Sequence, residues 1–294
     1  MPDGVPCPSG LRDQRYAQAI RRSVILMPVV TVRNGASLCQ QDGLIAEEPM
    51  EIRVCGPDQE PASLAVTMRT PGHDDELAAG FLFTEGLIQS WHDILATQPG
   101  GLHPGEHGCN IVTVRLTRPF DATPFQRNFA ATSSCGLCGK LSIQQVAVRC
   151  PAVCPGPVLA NSVLMQLPHT LRLQQQVFEQ TGGLHGAGVF DASGRLHVLR
   201  EDVGRHNAVD KLIGRMLQEN ALPLAEHILL VLGRVSFEIV QKVAMAGVPI
   251  LCAVSAPSSL AIEAAQRFEM TIVGFLRRQS CNIYTHPERI ALDR

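Results

Sequence analysis

Two cysteines separated by two residues lie in Ser133-Ser134-Cys135-Gly136-Leu137-Cys138-Gly139-Lys140, the stretch of this chain best suited to chemistry. Thiols at that spacing can approach closely, and one can lower the other's pKa. Gly136 and Gly139 keep the backbone open, so the active site of another protein can reach the sulfur. Lys140 favours a thiolate electrostatically. A thiolate in this setting can accept sulfane sulfur and hold it as a persulfide, or cycle with its neighbour as a redox pair. A closed zinc site is a further reading. Cys150 and Cys154 follow after eleven residues, and four thiols can complete a tetrahedron. The spacing alone leaves these readings open.

A second dense stretch runs from Arg200 to Lys211. On a helix, Asp202, His206 and Asp210 share one face, and a carboxylate beside an imidazole fixes its tautomer and raises its proton affinity. Glu201 and Arg205 have the same spacing and can pair. An ordinary charged helix face explains the pattern equally well. Upstream, Thr181-Gly182-Gly183-Leu184-His185 reads as a glycine turn entering a strand.

Three further segments should follow strands: Gly233-Arg234, Ser255 to Ser259, and Phe275-Leu276-Arg277-Arg278-Gln279-Ser280. Ligands of open parallel sheets collect beyond the carboxyl ends of the strands. Serines at helix starts and forked arginine donors suit a phosphate-rich ligand such as a nucleotide.

The elements that must position these groups change rhythm along the chain. Residues 1–22 are polar and unpatterned, and read as a loose tail. Val29–Val32 reads as a first strand. Met50–Val54 and Leu64–Met68 alternate as strands around the turn Gly56-Pro57-Asp58. Asp74-Asp75-Glu76 suits a helix start, after which Leu77, Phe81, Thr84 and Ile88 fall on one face. Residues 97–108 read as a loop and Ile111–Leu116 as another strand. This α+β lobe, residues 23–130, precedes residues 131–294. There Ile228–Leu232, Pro249–Val254 and Thr271–Phe275 are strands alternating with helices over Ser236–Met245 and Ser258–Phe268. Such alternation predicts parallel strands and an α/β class.

Composition narrows the function. A net charge of −2 over 294 residues argues against a nucleic-acid protein held by broad electrostatics. No apolar run approaches the ~20 residues that cross a bilayer. Arg21-Arg22 imitates a twin-arginine leader, but Pro28 interrupts the short apolar run and no small-residue cleavage site follows. A cytoplasmic location is the expectation. Ten cysteines in a chain this long do not make a disulfide scaffold; scattered ones such as Cys55 and Cys252 read as buried free thiols.

Together these segments resemble the FdhD family of formate dehydrogenase accessory sulfurtransferases. The matching stretches run in order from about residue 45 to the C-terminus. They are Arg69–Gly72 through Thr84–Gly86, Ser133–Lys140, Thr181–His185, Arg200–Lys211, Ser236–Lys242, Ala253–Leu260 and Asn282–Thr285. The resemblance implies a sulfurtransferase that takes sulfur from a cysteine desulfurase. It would pass that sulfur to the bis-molybdopterin guanine dinucleotide form of the molybdenum cofactor, for formate dehydrogenase. It makes Cys135 the persulfide carrier and Cys138 its motif partner, and maps the cofactor-binding stretch onto Phe275, Leu276, Arg277, Arg278, Gln279 and Ser280. It also implies a cytidine-deaminase-like α/β sandwich and a homodimer, with no permanently bound metal. The alternative function is a non-catalytic molybdenum-cofactor chaperone. Any deaminase likeness is one of scaffold, because Gly186-Ala187 follows His185 where a catalytic glutamate is required. Leu232 departs from the family pattern, which has Ser before Gly-Arg.

Overall fold

The computed structural model describes residues 23–100, 110–121 and 152–292. Its centre is a six-stranded mixed sheet. The strands best marked in the sequence are its middle: β10 (His227–Val231), β11 (Ile250–Ala253) and β12 (Thr271–Gly274). These short apolar runs are buried on both faces, as parallel strands between layers must be. β10 pairs with β11 and β11 with β12, both in parallel. Antiparallel strands flank them. On one side lie β8 (His185–Asp191) and β9 (Leu196–Asp202), on the other β13 (Asn282–Ile283), giving the order β13-β12-β11-β10-β8-β9. The expectation of parallel strands therefore describes the centre of the sheet and misses its antiparallel margins. The mixed α/β class is as expected.

Alternate side chains of these strands serve two cores. Leu229 and Val231 face one, and Ile228 and Leu230 the other. The first core is covered by α1 (Asp74–Thr84), α5 (Arg205–Gln218), α6 (Phe237–Met245) and α7 (Ser259–Arg267). Beyond those helices lies a four-stranded sheet, order β4-β3-β6-β5. It contains β3 (Glu48–Cys55), β4 (Ala62–Arg69), β5 (Ile94–Gly100) and β6 (Ile111–Leu116). The second core is closed by short helices α2 (Asn161–Leu164) and α3 (Leu167–Arg172), together with β7 (Leu159–Ala160), which pairs with β14 (Ile290–Ala291).

α1 and α5 cross at glycines. A Cβ on Gly80 would stand 1.9 Å from the Asp210 carbonyl oxygen, and one on Gly214 1.9 Å from that of Glu76. The backbones touch there, which no side chain permits. α1 is buried on most of its circumference, from Leu77 through Gly80 to Leu82 and Phe83. The single buried face expected of Leu77, Phe81, Thr84 and Ile88 is too narrow a description; Phe81 is only partly buried and Ile88 lies past the helix.

Before these layers comes a ribbon of β1 (Val24–Arg33) and β2 (Ala36–Ile45), which among the described residues pair only with each other. Asn34 (φ 51°) and Gly35 (φ 80°) make its two-residue turn. Its base rests on α4 (Gln176–Thr181), where a Cβ on Gly43 would meet the Gln180 carbonyl at 3.1 Å. No described helix is long and apolar enough to cross a membrane.

Candidate functional site

The loops beyond β10, β11 and β12 join into one row at a single edge of the central sheet. Val235 donates its N–H to the Ala256 carbonyl at 3.1 Å, and the Ser258 N–H returns to the Val235 carbonyl at 2.9 Å. The Phe275 N–H donates to the Ser255 carbonyl at 3.2 Å, and the Leu276 N–H to the Ala253 carbonyl at 3.0 Å. A Cβ on Gly274 would stand 2.9 Å from both Pro257 and Tyr284. Backbone bonds thus tie the three strand ends named from the sequence into a continuous rim. In its middle loop the Ser258 side chain caps α7, accepting from the Ala261 N–H at 3.2 Å.

Of the six residues from Phe275 to Ser280, five face solvent in different ways and one does not. Phe275 adopts φ 51° with its ring 43% exposed, while Leu276 is fully buried in the second core. The Arg277 N–H donates to the Ser280 carbonyl at 2.8 Å and closes the turn. Arg277 also turns a guanidinium nitrogen back onto the Val254 and Leu276 carbonyls. It therefore braces the rim as much as it charges it. Arg278, Gln279 and Ser280 are exposed, and Arg278 makes no ion pair or hydrogen bond among the described residues.

β8 and β9 bring more groups to this edge. β8 runs antiparallel to β10, so His185 at its start lies beside the end of β10, and His185 is paired with Asp202 at the end of β9. A Cβ on Gly233 would lie 3.2 Å from His185 Nδ1 and 3.7 Å from Arg205 Cβ. His185 is half-buried. Burial first, then the positive charge of Arg205, hold its imidazole below the usual histidine range, despite a smaller opposing pull from Asp202.

Asp202, His206 and Asp210 do not form the shared helical face expected of them. Asp202 ends β9, Gly204 caps the helix, and α5 begins only at Arg205. The three then find separate partners. Asp202 Oδ2 is 2.6 Å from Lys211 Nζ and accepts the Thr70 N–H at 3.1 Å. His206 Nε2 is 2.9 Å from Glu238 Oε2 and 3.3 Å from Ser236 Oγ. Asp210 is 2.9 Å from Lys242 Nζ and accepts from Thr84 Oγ1 at 2.8 Å. Glu201 does not pair with Arg205 either; it accepts from the backbone of Val177 and Phe178 and from Gln175. Burial outweighs those donors and raises its pKa.

Sequence reasoning gave no role to Glu238 or Lys242. Their spacing of four on one amphipathic helix was the available signal, and both point to α5. The pairing with Glu201 open to Arg205 from the sequence does not form, and its Nε is buried with no hydrogen-bond partner among the described residues. Cys135 and Cys138, the sulfur-bearing pair, lie outside the described residues, as do Cys150 and residues 1–22. Cys154 is exposed, and no group of three or more His, Cys, Asp or Glu among the described residues is placed to hold a metal ion.

Comparison with known proteins gives one consistent result. The family model described as FdhD/NarQ family matches residues 45–291. The chain is 48% identical over 272 residues to a protein of Streptomyces coelicolor named sulfur carrier protein FdhD, covering 90% of this chain and 94% of that one. A protein of the same name from Sulfurisphaera tokodaii is 42% identical, covering 89% of this chain and 97% of its own. A crystal structure described as a formate dehydrogenase accessory protein from Desulfotalea psychrophila superposes with a TM-score of 0.69 at 26% identity. The match covers 91% of this chain and 99% of that one.

Proposed function

Because the chain belongs to the FdhD/NarQ family, we propose that it is a sulfurtransferase: it receives sulfur on Cys135 and delivers it to a molybdenum cofactor destined for formate dehydrogenase. The observation that carries this reading is the match to relatives named sulfur carriers across residues that include Cys135 and Cys138.

In the first step the Cys135 thiolate attacks the terminal sulfur of a cysteine desulfurase persulfide. A new S–S bond forms at Cys135, the donor's S–S bond breaks, and the donor cysteine leaves as a thiolate. In the second, the Cys138 thiolate attacks Cys135 Sγ. A Cys135–Cys138 disulfide forms and the terminal sulfur leaves as HS⁻ toward the metal, so the two thiols supply the electrons that reduce sulfane sulfur to sulfide. The substrate is the bis-molybdopterin guanine dinucleotide molybdenum cofactor. Its phosphates would dock along the strand-end rim at Phe275–Ser280, which supplies exposed Arg278, the turn of Arg277 and nearby Ser258. An open, cationic rim of tied strand ends suits such a ligand.

The protein would act in the cytoplasm, where thiols stay reduced. It would act as a homodimer, a reading supported by the apolar side chains that the β1–β2 ribbon exposes on both faces. Intact-mass measurement after incubation with a cysteine desulfurase and cysteine tests the carrier role. Wild type should gain one sulfur atom, and Cys135→Ser should gain none. Equal gain in both would remove Cys135 from the role, and no gain in wild type would favour a cofactor chaperone that moves no sulfur.

A further inference from the structure

Arg205 occupies an unusual position. It is the first residue of α5, its Nε is buried, and neither a hydrogen bond nor an ion pair satisfies it among the described residues. Leaving such a donor desolvated and unpaired is costly, and nothing among the described residues offsets that cost. Both nearby carboxylates are already committed. Asp202 is taken by Lys211, Thr70 and Gly204, and Glu238 by His206 and Ser236.

Other cationic groups share this corner. Arg234 is exposed on the loop beyond β10, has no ion pair among the described residues, and acts with Arg205 and His206 on the His185 imidazole. His185 sits against Gly233, whose missing side chain lets the ring reach the strand end beside the Arg205 stem. Three elements therefore direct positive or proton-accepting groups to one place: the start of β8, the start of α5 and the end of β10. An unneutralised cluster of this kind is organised for an anion.

We propose that His185, Arg205 and Arg234 form an anion subsite for a phosphate or pyrophosphate group, distinct from the Phe275–Ser280 turn at the other end of the rim. It rests on the proposed reading in its choice of ligand: the pyrophosphate of a guanine dinucleotide arm. A dinucleotide with two arms offers phosphate groups to more than one point of a long rim, and this corner supplies the second point. The forked guanidinium of Arg205 holds the anion at the helix start, and the exposed Arg234 adds a second positive charge from the loop beyond β10.

Calorimetric titration of the whole protein with inorganic pyrophosphate tests the subsite directly. Wild type should bind. Arg205→Gln and Arg234→Gln should each weaken binding about tenfold or more, as expected for loss of a charge-assisted contact. Arg205→Lys, which keeps charge but not Nε, should fail to restore full affinity. In wild type, pyrophosphate should also raise the His185 imidazole pKa followed by NMR, and this rise should vanish in the double Arg205→Gln/Arg234→Gln variant. Guanosine diphosphate should bind more tightly than pyrophosphate and lose the same factor in these variants. Wild-type binding that is absent, or unchanged in both single variants, overturns the subsite. Loss confined to Arg277→Glu/Arg278→Glu would place the anion at the β12 turn instead and also overturn it. Thermal unfolding of each variant separates loss of binding from loss of fold. Sulfur loading of Cys135 is read by mass in the same samples, so failure of the carrier role and failure of the subsite give different patterns.

Discussion

Lys211 Nζ stands 2.6 Å from Asp202 Oδ2, with the two side chains 1% and 0% exposed. The same ammonium donates to the Thr70 carbonyl at 2.7 Å, and Asp202 accepts from the Thr70 and Gly204 N–H groups. One buried pair therefore joins the end of β9, the start of α5 and the strand–helix connection after β4. It holds in place the corner at which Arg205 begins.

Removing one partner of that pair should be severe. Lys211→Met leaves Asp202 buried and uncompensated, and breaking a buried pair in this way costs about 3–5 kcal/mol. Urea denaturation should show a matching fall in midpoint. The double variant Lys211→Met/Asp202→Leu should recover part of the loss, because it strands no charge. A single variant as stable as wild type would mean that the pair contributes nothing.

Glu76 should make stability depend on acid. Burial alone pushes its carboxyl up, but the Arg200 fork, at 2.5 and 2.7 Å, and His73 outweigh it and hold the group at about 2, from 4.5 when unperturbed. The folded-state pKa is depressed. Its contribution is therefore complete above the unfolded value near 4.5, and is lost as pH falls from there toward about 2. At 1.36 kcal/mol per unit the upper bound is on the order of 3 kcal/mol. Wild type should exceed Glu76→Gln in unfolding free energy near neutral pH, and the gap should narrow through that acid window. A gap independent of pH would contradict the assignment.

The crossing of α1 and α5 has no tolerance for a side chain. Gly214→Ala places a Cβ 1.9 Å from the Glu76 carbonyl oxygen, against backbone that cannot swing aside. Overpacking of a tight contact costs typically 1–3 kcal/mol, and a backbone clash belongs at or above the top of that range. Gly86→Ala serves as the control. It has open space around it but φ 76°, so it should lose only the roughly 1–2 kcal/mol of a left-handed backbone. Thermal melts of the two variants should differ clearly, with Gly214→Ala the less stable.

Much of the central sheet was legible because its strands are short apolar runs between Gly, Pro and Ser. Predicted strand and helix limits from Ile228 to Phe275 fall within a residue or so of those observed. β2 was not legible. Ser37, Cys39, Gln40, Gln41 and Asp42 show no strand alternation, and the strand exists because Asn34-Gly35 folds it back on β1. That dipeptide was a usable hairpin signal. The Arg200–Lys211 stretch was misread for another reason. Spacing of four suits a helix on both sides of Gly204, whereas the chain is strand before it and helix after it. The rim was found from the sequence as three separate strand ends. Its fourth contributor, His185 with Arg205, required knowledge that β8 runs antiparallel beside β10, which periodicity does not encode.

The β1–β2 ribbon should carry the contact between copies. Two-stranded ribbons are marginal in water without a covered face. This one exposes Leu26, Val30 and Val32 on one side of β1, and Ile25 and Met27 on the other, with Leu38 and Leu44 from β2, each between 41 and 70% exposed. Among the described residues the outer edges of both strands are also unpaired. The same surface on a second copy is apolar and extended in the same way, so a two-fold contact buries both at once. Leu26→Lys/Val30→Lys/Leu38→Lys should leave the layered core intact, because none of the three belongs to it. Light scattering after gel filtration should then give a dimer mass for wild type and a monomer mass for the triple variant, with matching circular dichroism. A triple variant that remains dimeric would move the contact elsewhere, and a monomeric wild type at micromolar concentration would remove the homodimer altogether.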